Sequence, residues 1–463
     1  MNHDTENDDD DRNTKEKEPW IHQYRLSRPG PLGSVLDVVI EEVTFIEQRA
    51  RKRRTKDAET FHLVTDVLVS NLAYSLLRHP AGKPLVICRD NGGRRAYDNP
   101  AIPRATFVQT VDLLEAAGFL TQAIGARGKG LTTIQATSRL AALVSGLGVD
   151  LGCFRIDRRN PLVMLRRKVV HGPGQEPTRR DIEFQDTPET ERVRLEMSRL
   201  NSFLATADLG FIPDGLGLVD TINDRTLSRR FVVLNDQAAR FDQVGRLSGG
   251  FWTNLEKDRR GGLRIQGEPI ADLDFEAMHP RLAYLMLGQD WPPGDPYDLT
   301  GLLSGYDHAN KEHRGAVKKG LSSLLNGGRA GRKYGRPLEG LPNGATPASL
   351  RAALKAKHPT LVSIIDPPVP LEVPMGYRLM KLESDILLEA LDHLMSLGIV
   401  ALPSHDGVFT AQSNAKIAQE ALQAASKFIL DVSLPVKAKP VPGPRQAILP
   451  PTYNQPFHQY ACP

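Results

Sequence analysis

Cysteine is nearly missing from this chain. The 463 residues include three, Cys88, Cys153 and Cys462, at spacings that suit neither a disulfide framework nor a zinc cage. That sets aside the small disulfide-stapled classes and fits a reducing, cytoplasmic compartment. Long apolar runs are missing too: none approaches the roughly 20 residues of a membrane span, so no membrane contact is expected. The N-terminus is acidic and polar, without the apolar stretch of a secretory signal. Nor does one charge dominate, since the net value of +4 says little by itself about partners. Its distribution says more: Asp4 to Asp11 is acidic, while Arg49-Ala-Arg-Lys-Arg-Arg-Thr-Lys56 is a dense basic run.

What is present reads as a globular chain of two or three folded units, with helical and strand-like runs in separate stretches, an α+β class. Residues 1–33 are expected as a disordered acidic tail. A helix should begin near Ser34 and end in the basic run, which reads equally as a solvated face or as a phosphate contact. An amphipathic run from Glu59 to Leu77 stops before Pro80. In Pro103–Gly118 a proline opens the segment, Phe107, Val111 and Leu114 share one helical face, and glycine closes it. Phe119–Ile124 and Leu131–Ala136 read as strands around Gly125-Ala-Arg-Gly-Lys-Gly130, and Thr137 caps another helix.

Over residues 34–148 this order resembles a winged helix-turn-helix. The resemblance implies that the second helix enters a major groove and the wing touches backbone. Arg127 and Lys129 would then be wing phosphate contacts, with Arg104 and Gln109 facing the groove. Winged helices also serve as protein-contact modules, and an ordinary helix–hairpin unit stays open as an alternative. Residues 149–240 are Arg-rich and broken by Pro161, Pro173, Pro177 and Pro188, with a helical stretch from about Glu189 to Ala207. They are expected as a linker and helical region able to grip a duplex.

Two stretches carry the chemistry: Asp272-Leu-Asp-Phe-Glu-Ala-Met-His-Pro-Arg281 and Leu402-Pro-Ser-His-Asp-Gly-Val-Phe409. Each sets an aspartate where a strand-like run meets a turn or helix. Two carboxylates from separate strands make an all-oxygen site for a pair of Mg²⁺ ions. Before them stands Gly245-Arg-Leu-Ser-Gly-Gly-Phe-Trp-Thr-Asn-Leu255. Between them is Arg314-Gly-Ala-Val-Lys-Lys-Gly-Leu-Ser-Ser-Leu-Leu-Asn-Gly327, with arginine and lysine one helical turn apart. A helix over Lys381–Gly398 leads into the second aspartate.

From about residue 240 to 440, these segments resemble in order and spacing the palm and fingers of family A (DNA polymerase I-like) polymerases. The first aspartate stretch is similar to the motif Asp-Tyr-Ser-Gln-Ile-Glu-Leu-Arg, which makes Asp274 a metal ligand, Phe275 a carbonyl contact to metal and Arg281 the closing arginine. Asp272, on the same strand face, is the rival ligand. His279 falls where the family has a glutamate beside the sugar. Its bulk leans towards deoxynucleotides, although imidazole can also hydrogen-bond a hydroxyl.

Arg246 and Asn254 take the primer-template contacts of the earlier segment. Arg314 and Lys318 match the triphosphate-binding pair of the fingers helix, with Lys319 as the shifted alternative and Lys318 as proton donor to pyrophosphate. His405 and Asp406 match the second palm motif. The sequence departs from the family at Ser322, Asn326 and Gly407, where aromatic, tyrosine and glutamate residues are expected.

The resemblance implies a right-hand fold: palm and fingers at 241–445 with an antiparallel palm sheet, a thumb-like region at 149–240, and a tail at 446–463. It implies a DNA-dependent DNA polymerase with two Mg²⁺ ions, acting on a primer-template and dNTPs. An accessory replication protein and a mobile-element setting would suit so compact a combination. No paired Asp-x-Glu occurs in an apolar strand upstream, so proofreading is not expected. Two other readings stay open: a single-subunit RNA polymerase or primase, and a non-catalytic replication initiator with a decayed polymerase fold.

Overall fold

A computed structural model describes residues 19–79, 82–89, 96–125, 131–169, 177–327, 332–333, 336–369 and 371–445. After the short strand β1 (Arg25–Ser27), α1 (Pro31–Glu47) starts on a proline and buries Leu32, Val35, Val39 and Val43 as one stripe. In α2 (Thr55–Arg78) every residue from Val67 to Ser75 is buried. This helix is, by length and composition, apolar enough to cross a membrane, and most of it is buried inside the fold. A helix surrounded by protein is selected for the same apolar composition as one surrounded by lipid.

β2 (Leu85–Val86), α3 (Arg104–Ala116), β3 (Leu120–Ala123), β4 (Thr133–Ala136) and α4 (Ser138–Gly146) complete the N-terminal unit, with sheet order β2-β4-β3. Phe107, Val111 and Leu114 are buried on α3, and the Thr137 side chain accepts the Leu140 amide at the start of α4. The tail expected to reach residue 33 is shorter than that, because β1 pairs with β5 (Phe154–Ile156). The first 18 residues, the tail at 446–463 and the wing residues Arg127 and Lys129 lie outside the described residues.

The linker expected at 149–240 is corrected. Strands β6 (Val163–Val169) and β7 (Thr178–Ile182) precede α5 (Pro188–Thr206), then come β8 (Leu209–Phe211), β9 (Leu227–Leu234) and β10 (Val244–Gly249). Four of these strands form a sheet in the order β10-β9-β6-β7, antiparallel except for the β6–β9 pair. One face rests on Val193, Met197, Leu200 and Leu204 of α5. The helix agrees with the sequence reading. The strands escape it because β6 runs through three consecutive cations, which hides the apolar alternation. A division near residue 240 would fall between two paired strands, β9 and β10.

The remaining elements are β11 (Leu263–Ile265), β12 (Glu268–Phe275), α6 (Met278–Met286), α7 (Lys311–Leu325), the short ladder β13 (Arg332–Lys333) and β14 (Arg336–Pro337), α8 (Pro347–Lys357), α9 (Val362–Ile365), α10 (Met375–Ser396), β15 (Ala401–Ser404), β16 (Gly407–Ala411), α11 (Ala415–Leu430) and β17 (Val436–Lys439). An antiparallel sheet, β15-β16-β12-β11-β8, has β17 alongside β12. Its apolar side joins the buried faces of α5, α7, α8, α10 and α11 in one core. The chain is therefore a mixed α+β protein built mainly on antiparallel sheets.

The hairpin β15–β16 approaches β12 so closely that a Cβ added at Gly407 would lie 2.0 Å from the Leu273 carbonyl oxygen. A side chain at position 407 is excluded on steric grounds. Gly407→Ala should therefore lower stability by about 2–3 kcal/mol, and Gly407→Glu by more, read from urea unfolding midpoints at constant m.

Candidate active site

Strand alternation puts Asp272 and Asp274 on one face of β12, and the antiparallel register sets Asp274 opposite Gly407 on β16 and Lys437 on β17. The turn between β15 and β16 is held tight, with His405 in the left-handed region at φ 55°. The Phe275 amide donates to the Asp406 carbonyl at 3.1 Å. These constraints bring Asp274 of β12 and Asp406 of the hairpin turn into one site. Burial, then the charge of Asp406, pushes Asp274 up to about 8.

Lys439, at the end of β17, sets its Nζ 2.7 Å from Asp274 Oδ2. Burial pulls this ammonium down, but Asp274, with Asp406 and Asp272 behind it, outweighs burial and leaves it raised. Asp272 is buried and raised by that burial, and it faces Arg260 at 3.7 Å. The charge of Asp406 raises both aspartates of β12. Among the described residues no group of three or more His, Cys, Asp or Glu side chains is arranged around a metal position. Two carboxylates with an ammonium beside them are nevertheless a hard, oxygen-only donor pair. Such a pair fits a divalent cation whose other ligands are water and phosphate.

A second cluster lies beside the first. Glu383 on α10 is 2% exposed. It accepts from Arg246 Nε at 2.8 Å and Nη2 at 3.0 Å, and His279 Nε2 lies 2.7 Å from its Oε2. Burial would raise this carboxyl, but Arg246 and then His279 outweigh it and hold Glu383 at about 2. One carboxylate thereby joins β10, α6 and α10. Residues from the same region, Arg246, Ser248, Ser384, Pro403 and His405, line a small cleft. The segment after β10 is anchored to the hairpin through buried Trp252, whose Nε1 donates to the Pro403 carbonyl at 2.9 Å. Asn254, two residues on, is exposed.

Arg314 on α7 donates to Asp295 at 2.5 Å and stacks over Tyr297, 5.0 Å from the ring centre. Arg281 donates to the Glu276 carbonyl and stacks over Trp291. Burial raises the Tyr297 phenol, and the charges of Arg314, Asp406, Asp295 and Arg281 all act on it. Arg314 is thus stacked on one buried tyrosine that also feels the charge of Asp406. Lys318 and Lys319 are exposed on α7, opposite its buried Val317, Leu321 and Leu324. The two departures from the family helix meet at its end: Asn326 Nδ2 donates to the Ser322 carbonyl at 3.0 Å. The Asn326 side chain fills the space that a Cβ on Gly376 would need.

In the N-terminal unit Arg104 donates to the Cys88 carbonyl and Gln109 to Glu47. The exposed face of α3 also carries Asp112 and Glu115. Most of the basic run lies between α1 and α2, with Thr55 and Lys56 opening α2, and Arg49 and Arg53 are both paired to Glu47.

Sequence reasoning missed Glu383 and Lys439. The signal for Glu383 was available: it falls on the buried stripe of α10 with Leu379, Met380, Ile386 and Leu387, where a carboxylate requires cationic partners. No protein-family model matches this chain, and no curated protein matches it.

Two outcomes follow from the electrostatics. Glu383→Ala leaves the buried Arg246 guanidinium without its anion and should cost about 3–5 kcal/mol, measured by denaturant unfolding at pH 7. Asp274 binds its proton more tightly folded, at about 8, than unfolded, at about 3.9. With divalent cations chelated, its contribution is greatest below the unfolded value and fades as pH rises towards 8. Cation-free wild type should lose several degrees of Tm between pH 6 and 9, and Asp274→Asn should lose less.

Proposed function

We propose that this chain is a template-directed nucleotidyltransferase, a DNA-dependent DNA polymerase built on the family A plan without proofreading. A right-hand palm would stand on the β15-β16-β12 sheet, α7 would serve as a reduced fingers helix, and the N-terminal unit would be winged-helix-like. The observation that carries this reading is the convergence of Asp274 from β12 and Asp406 from the adjoining hairpin turn on one site beside Lys439. Arg246 and His279, which the family motifs place at the duplex end and the sugar, are tied to one buried carboxylate beside them.

Asp274 and Asp406 would hold the Mg²⁺ ions, with the Phe275 carbonyl adjacent; when bound, these ions acidify the primer 3′-hydroxyl and offset phosphate charge. The 3′-oxygen forms a bond to the α-phosphorus as the bond from that phosphorus to the pyrophosphate oxygen breaks. Arg314 and Lys318, on the helix flanking Tyr297, receive the triphosphate, and Lys318 gives a proton to the departing pyrophosphate. Glu383 fixes the directions of the Arg246 guanidinium and the His279 ring, so duplex end and sugar meet preset groups. His279, held from behind by Glu383, packs against the sugar at C2′ and favours dNTPs.

The test is primer extension on a defined template with dNTPs and, separately, NTPs. Wild type should extend with dNTPs and Mg²⁺. Asp274→Asn and Asp406→Asn should fall to background while binding the same duplex as wild type by fluorescence anisotropy. Exclusive use of NTPs would transfer the reading to an RNA polymerase or primase. Failure of wild type on every template would leave the non-catalytic initiator.

A further inference from the structure

Strand β17 brings two lysines to the face of β12 that carries the aspartates. Lys439 is opposite Asp272 and Lys437 is opposite Asp274, and opposed residues share a sheet face. Leu273, Phe275 and Val436 turn to the other face and enter the core. On register alone, Lys439 would be the partner of Asp272. Its Nζ lies instead 2.7 Å from Asp274 Oδ2, one diagonal step along β12, while Asp272 has Arg260 at 3.7 Å. A diagonal neighbour on an antiparallel ladder is within reach of a long side chain. Two cations from two segments are thus shared between two aspartates. The ammonium goes to Asp274, which stands opposite Gly407 and so next to Asp406.

The backbone beneath Lys439 is fixed. The Glu276 amide donates to the Pro435 carbonyl at 2.9 Å, and Gln419 Nε2 donates to the Val436 carbonyl at 3.2 Å. Beyond the strand, the chain packs on the segment that holds Arg260: a Cβ added at Gly261 would lie 2.1 Å from the Pro442 carbonyl oxygen. The Lys439 side chain differs from its backbone in this respect. It is 42% exposed and stands on the last residue of β17. Side-chain rotation alone would carry the ammonium from Asp274 into solvent, with no movement of the strand.

The charge balance sets what this contact does. Asp274 and Asp406, both ionised, carry two negative charges, and the Lys439 ammonium cancels one of them. A divalent cation arriving at Asp274 therefore meets an oxygen already occupied and a site with half of its net charge removed. Its Coulomb attraction to the site falls with that charge.

We infer that Lys439 is a tethered competitor of the divalent cation at Asp274. It holds the aspartate when no metal is bound, and it turns away for the ion to bind. The inference rests on the proposed reading in taking Asp274 and Asp406 as ligands of the cation. It adds that β17 sets how much of that cation the site requires.

The experiment follows Tm of the full-length protein across MgCl₂ concentrations, from chelated to saturating. It is run at pH 9, above the value of about 8 at which Asp274 releases its proton. Without cation, Lys439→Met should melt below wild type, because the aspartates have lost their ammonium. Its Tm should then rise to half of its full increment at about a tenfold lower Mg²⁺ concentration than wild type needs. Lys439→Arg, which keeps the charge, should match wild type. So should Lys437→Met, on the same strand and face. In the double variant Lys439→Met, Asp274→Asn the gain should vanish.

A half-saturation point that is unmoved or raised in Lys439→Met overturns the inference, since the lysine would then only orient the aspartates. An equal gain in Lys437→Met, or a gain that survives Asp274→Asn, also overturns it. The two readings fail separately. A wild type that extends no primer, with half-saturation lowered in Lys439→Met, keeps the lysine and loses the polymerase. One that extends primers, with half-saturation unmoved in the variant, does the reverse.

Discussion

The juxtaposition of Asp274 and Asp406 is the constraint on which the rest of this structure turns. Two acidic groups set side by side in a largely buried site repel once both ionise, and an isolated hairpin would relax by moving them apart. Here it cannot. The Asp406 carbonyl takes the Phe275 amide, Gly407 lies against Leu273 with no room for a side chain, and Trp252 holds the hairpin from behind through Pro403. Repulsion is converted into proton uptake and into attraction for Lys439. The pair is thus a standing demand for positive charge, met by proton and ammonium when nothing else is bound. A divalent cation satisfies the same demand with more charge.

Glu383 works in the opposite sense. It is an anion buried in full and held by Arg246 and His279 from different elements, which outweigh burial and keep its pKa low. Because β10, α6 and α10 meet at this one carboxylate, the relative placement of Arg246 and His279 is set by a short, directional contact and not by loop geometry. In the proposed reading this is how the chain compensates for carrying histidine where the family carries glutamate. The acidic group is supplied from α10, and the basic one stands on α6.

Much of this was legible in advance, and the illegible parts have identifiable causes. β12 announced itself by alternation, α6 and α7 by helical spacing, and the β3–β4 hairpin by its glycine-rich tip, because each pattern is local. Asp274 and Asp406 could be nominated from motif order, but nothing in one dimension gives a distance between residues over a hundred positions apart. β6 was lost because its solvent-side cations are adjacent in sequence to cations on the other face. Only pairing with β7 and β9 reveals the alternation. Glu383 was readable as an anomaly, a carboxylate on an apolar stripe, yet its partners come from β10 and α6 and leave no trace in the helix itself. Lys439 carries no signal beyond its place at the end of the last strand.

Charge is therefore sorted by location in a way that composition conceals. The net value is close to neutral, yet carboxylates concentrate where β12 meets the hairpin, and cations concentrate along the β6–β7 ribbon. A protein stabilised for its own sake would place these two sets against each other, and β10, which joins the regions, offers the route. Instead Arg246 is matched by a third group, Glu383, which α10 carries in from outside both regions. The acidic region is small and largely buried, and the basic one is extended along two paired strands, so neither neutralises the other.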